Sequence, residues 1–400
     1  MRFPFDWRRR SWGWLALSVI AACAGVGCYA PLARDARPAA PIVGAPVGSV
    51  DGAVVAAPGS FAAAALADLG TFAPGVGIPA SLVETWVVHN RACEQKLGSD
   101  PWPSITVGRL DEGGGPIHGA DPDALFARMS GRTSVFMVHG NGYTFPDAVR
   151  EAVGVRAVLE AGGGLGPESL FVIFDWPSER DQTDLIQDLN EKARRSRVAA
   201  YHLARILEAA PAGSRICFLA QSNGGRIVLT TLHLLSGAPL RAFWSEPEVH
   251  LDSMRPDLRM RAVLIDAAAN HQWFNPGDRL DQAVPMSEAI LNIHNHADYA
   301  LAVYIFGVYT GLRPAVGQVG FQPGDLRRLG PLASRIEQIN LNPRVGFSHT
   351  SIPQALGFSD VAAKIARYTA WNEPPVIARR AARKPLSGLA QRRFSTTTSK

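Results

Sequence analysis

The strongest constraint on this chain is a series of seven short apolar runs, at 85–88, 135–138, 170–174, 216–219, 262–265, 289–293 and 336–341. Most are separated by about 35–50 residues. Between them lie stretches with helical spacing of apolar residues, at about 145–160, 183–209, 224–236, 299–310 and 359–370. In 183–209 the apolar positions Leu185, Leu189, Ala193, Val198, Leu203 and Ile206 have charges between them, an amphipathic pattern. Fully apolar strands joined through helices imply parallel crossovers, with a sheet buried on both faces. The expected class is therefore α/β, with a mostly parallel central sheet and helices on both faces. No internal repeat is evident.

Composition narrows the functional classes. The chain has 400 residues, 47% of them hydrophobic and 19% charged, too apolar for a disordered protein. No second apolar stretch approaches the about 18 residues of a membrane span, which excludes a polytopic membrane protein. The isoelectric point near 9.2 suggests nucleic acid, but the charge is at the ends. Residues 1–23 carry +3 and 379–400 carry +7, so 24–378 carry −5 against a total of +5. A mildly acidic body argues against nucleic-acid binding.

The N-terminus has the three parts of an export signal. Arg8, Arg9 and Arg10 make the positive region, and 12–22 an apolar region too short to span a bilayer. Ile20-Ala21-Ala22-Cys23 then resembles the lipobox of bacterial lipoproteins, which implies lipidation at Cys23 and a protein anchored outside the cytoplasm. Ala24 rather than Asp after the cysteine implies the outer membrane where one exists. Gly25-Val26-Gly27-Cys28 is a second candidate whose first position is Gly. A simple secretory signal or uncleaved anchor is the alternative. The expected organisation is a signal at 1–23, an Ala/Pro/Gly-rich tether at 24–80 with a short helix at 61–69, a domain at 81–375, and a basic tail at 376–400. That tail is read as solvated, with contact to anionic lipid as the alternative. Cys217 reads as a buried small hydrophobe, and Cys28 and Cys93 could pair in an oxidising compartment.

The chemistry concentrates after the run 216–219, in Ala220-Gln221-Ser222-Asn223-Gly224-Gly225, followed by the helical pattern Ile227, Val228, Leu232, Leu235. Small residues two before and two after a serine allow a strand-to-helix turn tight enough to thrust the hydroxyl above the sheet. Ala220 stands where Gly is commoner. The plainer alternative is a serine that only caps the helix. A serine nucleophile needs a base, an acid that orients the base, and an oxyanion hole. With the chain order Ser, acid, His, Asp298 after the run 289–293 and His349 after 336–341 complete the set. Asp266, one strand earlier, is the alternative acid. The oxyanion donors are expected to be the N–H of Asn223 and one from Asn141 or Gly142, in the loop His139-Gly140-Asn141-Gly142. His139 precedes the serine and reads as structural, as do Asp175 and Asp147. His271 and Trp273 line a pocket mouth or a surface loop.

Together these residues resemble a family of bacterial α/β-hydrolases grouped as a domain of unknown function. The family pattern is a strand ending in His-Gly, then Phe-x-Asp-Ala, a strand ending in Trp-Pro-Ser, and Ala-His-Ser-Met-Gly. Here these read His139-Gly140, Phe145-Pro146-Asp147-Ala148, Trp176-Pro177-Ser178 and Ala220-Gln221-Ser222-Asn223-Gly224. The resemblance covers about 85–370. It implies an α/β-hydrolase fold with Ser222 as nucleophile, and the family's later acid and histidine match Asp298 and His349. Two departures stand out: Gln221 and Asn223 flank the serine in place of His and Met, and Asn-Gly-Tyr follows Gly140 in place of Tyr-Asn.

The expectation is a serine hydrolase acting on a small or lipid-like ester, with no cofactor, no metal and no nucleic-acid partner, held to a membrane by its N-terminal lipid. Two alternatives remain at this level. One is a non-catalytic tethered binding protein on a hydrolase fold. The other is a metal-dependent hydrolase using His294, His296 and Asp298, since His294-Asn295-His296-Ala297-Asp298 resembles the metal motif of metallo-β-lactamase-like enzymes. That motif usually continues with His, where Tyr299 stands here.

Overall fold

The structure, a computed structural model, describes residues 81–371 apart from 82, 111–116, 181–183, 244–245, 308–309 and 311. The signal, the tether with its helix at 61–69, Cys23 and Cys28, and the basic tail lie outside the described residues.

All seven apolar runs are strands. They are β1 (Glu84–His89), β4 (Thr133–Val138), β5 (Ser169–Asp175), β6 (Arg215–Gln221), β7 (Arg259–Ile265), β8 (Ala289–His294) and β9 (Ile336–Asn340). Two further strands, β2 (Thr106–Leu110) and β3 (Ile117–Ala120), were not expected. Among the described residues the sheet order is β3-β2-β1-β5-β4-β6-β7-β8-β9. Only the β1–β2 and β2–β3 pairings are antiparallel.

Alternation along each strand feeds two cores. Phe136, Val138, Val172 and Phe174 point into one. Val135, Met137, Phe171 and Ile173 point into the other. The longer helices between the strands are α1 (Pro122–Met129), α2 (Phe145–Ala161), α3 (Leu185–Leu207) and α4 (Asn223–Leu235). Side chains of α3 and α4 complete the first core. Those of α2 and of the final helix α5 (Ser359–Thr369) complete the second. Thr144 and Asp184 cap α2 and α3 by accepting backbone N–H bonds.

The helix expected over 299–310 is broken. A four-residue helix at Tyr299–Ala302 gives way to a 3₁₀ turn at Tyr304–Phe306, and Gly307 leaves the helical region. Cys93 and Cys217 are both buried, and burial pushes each thiol up to about 12.

The topology fixes where function belongs. From β4 the chain returns to pair with β5 on one side, and from β6 it moves to β7 on the other. The carboxyl ends of β4 and β6 therefore flank the point where the winding reverses, the crevice that open α/β sheets use for ligands.

Candidate active site

The turn between β6 and α4 is built under strain. Ser222 has φ 56° and ψ −124°, a conformation costly for a residue with a Cβ. It is held there by Ser222 N–H to Ile265 O at 2.9 Å and Ala268 N–H to Ser222 O at 2.9 Å. Gly224 is required by close approach, since a Cβ there would lie 2.2 Å from Val138 O. Ser222 stands at the N-cap position yet makes no side-chain capping bond, so the plain capping reading does not hold.

Across the crevice, Asn223 Nδ2 donates to Asn141 Oδ1 at 2.9 Å. This tie takes the place of the His-Ser-Met surroundings usual in the family pattern. As the first residue of α4, Asn223 has a backbone N–H with no intrahelical acceptor. Gly142 departs from expectation. Its N–H donates to Ser178 O at 2.7 Å and is therefore engaged within the loop rather than held open. Gly142 instead supplies the turn itself, at φ 82°.

Asp298 caps the helix Tyr299–Ala302, with Oδ1 accepting from Ala300 N–H at 2.8 Å and Leu301 N–H at 3.0 Å. Its other oxygen, Oδ2, lies 2.5 Å from His349 Nδ1. Burial opposes the charged imidazole, but the hydrogen bond and charge of Asp298, with Asp266 behind, raise the His349 pKa. The His349 side chain stays 18% exposed. Asp266 Oδ2 lies 4.0 Å from the same nitrogen. Burial raises the Asp266 carboxyl to about 8, with the nearby charge of His349 lowering it and that of Asp298 raising it.

Polar atoms of Asp266, Asp298 and His349 fall within 4.8 Å of one another, so metal binding needs a geometric test. Two ligands on one tetrahedral zinc sit about 3.3 Å apart, given metal–ligand bonds near 2.0 Å. The 2.5 Å separation of Nδ1 and Oδ2 is a hydrogen bond and leaves no room for an ion between them. The His294/His296/Asp298 set does not assemble either. His294 Nε2 meets His296 Nε2 at 3.2 Å, while both Asp298 oxygens are engaged elsewhere.

His139 is structural in its surroundings. It is 1% exposed, stacks on Trp176 at 5.8 Å, and lies 3.2 Å from Asp175 Oδ1. Asp175 also meets His89 Nδ1 at 2.7 Å and receives two bonds from Arg91 at 2.7 Å. Asp147 sits in the first turn of α2, bonded to Thr144 and Arg150. His271 is tied to Asp325 Oδ2 at 2.6 Å rather than open to a pocket. Trp273 instead stacks under Arg226 at 5.1 Å and lines a cavity beside α4 together with Arg197, Arg241, Phe243 and Arg279. Two residues before His349, Phe347 is 76% accessible, and its carbonyl accepts Tyr299 N–H at 3.1 Å beside Asp298.

A parallel sheet with a strained serine at the strand–helix elbow, and an Asp–His pair after the following strands, defines an α/β-hydrolase fold. Residues 124–254 match the model of a family described as an alpha/beta hydrolase of unknown function (DUF900). That span holds all four motifs on which the resemblance was read. Among solved structures, esterase PE8 is 17% identical, with 59% of this chain and 92% of that chain covered and a TM-score of 0.35. Esterase B from Lactobacillus rhamnosis is 11% identical, covering 78% and 96%, with a TM-score of 0.31. An acetylxylan esterase is 13% identical, covering 61% and 98%, with a TM-score of 0.32. No protein of curated function matches the sequence.

Proposed function

We propose that this protein is a serine hydrolase of ester-type bonds, working through Ser222, His349 and Asp298. The observation that carries this reading is a strained, uncapped Ser222 whose neighbour Gln221 is bonded to Thr350 O, next to His349, with His349 in turn paired to Asp298.

Ser222 Oγ attacks the carbonyl carbon while His349 Nε2 takes the hydroxyl proton. Asp298 fixes Nδ1 as the protonated nitrogen and stabilises the imidazolium. The N–H groups of Asn223 and Asn141 hold the oxyanion, aided by the positive end of α4. His349 then gives its proton to the leaving oxygen, and a water activated by the same histidine releases the acyl group. The exposed Phe347, two residues before His349, supports an apolar acyl group.

Hydrolysis of p-nitrophenyl esters of increasing acyl length tests this. Turnover that vanishes in Ser222→Ala is expected, and turnover unchanged in that variant would overturn the reading.

Export and lipid anchoring at Cys23 form part of the same proposal and rest on the sequence. Incorporation of labelled palmitate in cells is expected, and Cys23→Ser should abolish it. Loss with Cys28→Ser instead would move the anchor to the second cysteine.

A further inference from the structure

Asp266 has no task in the mechanism above, yet it is placed with care. It follows β7 at φ 44°, a left-handed conformation unfavourable for a residue with a Cβ. Asp266 N–H donates to Ile293 O at 2.9 Å, which pins the residue beside the end of β8. Its Oδ2 accepts Thr350 N–H at 2.7 Å, from the residue next to His349. Gln221 Nε2, beside the nucleophile, donates to Thr350 O at 3.2 Å. The backbone carrying His349 is therefore clamped from both sides, by Asp266 and by the elbow strand.

The same Oδ2 lies 4.0 Å from His349 Nδ1, the nitrogen that Asp298 holds at 2.5 Å. Asp266 Oδ1 is buried with no hydrogen-bond partner. A buried carboxylate with an empty oxygen is costly as an anion, and a proton on that oxygen removes the cost. The titratable groups facing Asp266 are Asp298, beyond β8, and His349, beyond β9. From β6 come Gln221 and Ser222, and the turn Val316–Val319 lies against its backbone, where a Cβ on Gly317 would be 2.6 Å from Asp266 Cα. None of these last residues carries a charge.

We propose that Asp266 is a second positioning residue for His349, a reserve carboxylate that takes over the imidazole Nδ1–H when Asp298 is lost. With Asp298 charged, a second anion beside it is unfavourable and Asp266 stays protonated. Removing the Asp298 charge removes one cause of that state, and Asp266 ionises next to the same imidazole. No proton passes from His349 to either carboxyl. The Nδ1–H only changes its acceptor.

The proposal takes its role for His349 from the serine-hydrolase reading, so its test needs a readout independent of turnover. NMR titration of the His349 ring in wild type, Asp298→Asn, Asp266→Asn and the double variant supplies it. In Asp298→Asn the His349 pKa is expected to stay above the ordinary value of about 6.5, and in the double variant to fall below it. Chemical-shift spectra establish that each variant is folded, and Asn at 266 keeps an oxygen for Thr350 N–H.

Ester turnover gives the second readout. Asp298→Asn is expected to lose no more than about a hundredfold and to gain activity with rising pH as Asp266 ionises. The double variant should fall about 10⁴-fold, the loss seen when a triad acid is neutralised with nothing to replace it. A His349 pKa in Asp298→Asn equal to that of the double variant would overturn the proposal. If wild type turns over no ester, the hydrolase reading fails, while the titration still decides the role of Asp266.

Discussion

Two histidine–aspartate pairs sit at the carboxyl edge of one sheet, and they differ in everything except the pairing. His139 is 1% exposed, and both its nitrogens lie against protein groups: Nδ1 at 2.9 Å from Gly140 O and Nε2 at 3.2 Å from Asp175. Its aspartate is saturated by Arg91 and His89. Burial opposes the Asp175 charge, yet hydrogen bonds from His139, His89 and Arg91 overcome it and hold the carboxyl far below the usual carboxylate range. His349 gives one nitrogen to its aspartate, and its side chain stays 18% exposed. Among the described residues no arginine is bonded to Asp298, whose second oxygen accepts the backbone N–H groups of Ala300 and Leu301. A His–Asp contact is thus no sign of catalysis by itself. The sign is a histidine with one nitrogen still uncommitted, beside a carboxylate that no guanidinium has neutralised.

The contrast is broken most decisively by removing each histidine. His349→Ala should lower kcat by about 10⁶-fold, a loss far beyond what its change in stability accounts for. His139→Ala should cost about 1–3 kcal/mol of stability, from the buried polar groups it leaves unpaired. Equal activity losses with equal stability losses would erase the distinction.

The aspartates should sort the same way. Asp175→Asn leaves Arg91 short of its buried partner and should cost about 3–5 kcal/mol in urea unfolding. Asp298→Asn keeps a side-chain oxygen for the helix cap, where Asn serves about as well as Asp, and should cost less than about 1 kcal/mol.

The pH dependence sharpens the same point. The base must be neutral, and the His349 pKa is raised, so activity should fall with decreasing pH along a limb lying above about 6.5. For stability the signs differ. The His349 contribution is present below its unfolded pKa and is lost as pH rises through the raised folded value. The Asp175 contribution is present above about 3.9 and is lost as pH falls through its depressed folded value. Titration curves of activity and of urea midpoint, taken on one preparation, check both.

The smallest expected effect is at Asn223. Asn223→Ala removes the tie to Asn141 but keeps the backbone donor, and should lower kcat about tenfold, well short of the loss from deleting an oxyanion donor itself. A hundredfold loss would assign the side chain a direct part in the oxyanion hole.

The sequence made the interior legible because a parallel sheet buries both faces, so each central strand is an apolar run. The edge hairpin escaped notice for the opposite reason. Thr106–Leu110 and Ile117–Ala120 are short and carry Gly108 and Gly119, which weakens any strand signal. The strained turn at Ser222 was legible because it is local, and the pairing of Asp298 with His349 because the two follow successive apolar runs. The sequence offers Asp266 only as an alternative to Asp298, so the standing of both carboxyls near one imidazole was not legible, nor were Gly142 diverted to Ser178 and His271 bound to Asp325. Each depends on a contact between distant segments that no local pattern encodes.

The central claim is that Ser222 is a nucleophile activated by His349. A fluorophosphonate probe, followed by peptide mass spectrometry of the full chain, tests it most directly. The account predicts one adduct, on the peptide containing Ser222, with labelling abolished in Ser222→Ala and greatly slowed in His349→Ala. A folded wild-type protein that takes up no probe, or an adduct on another residue that persists in Ser222→Ala, would contradict it.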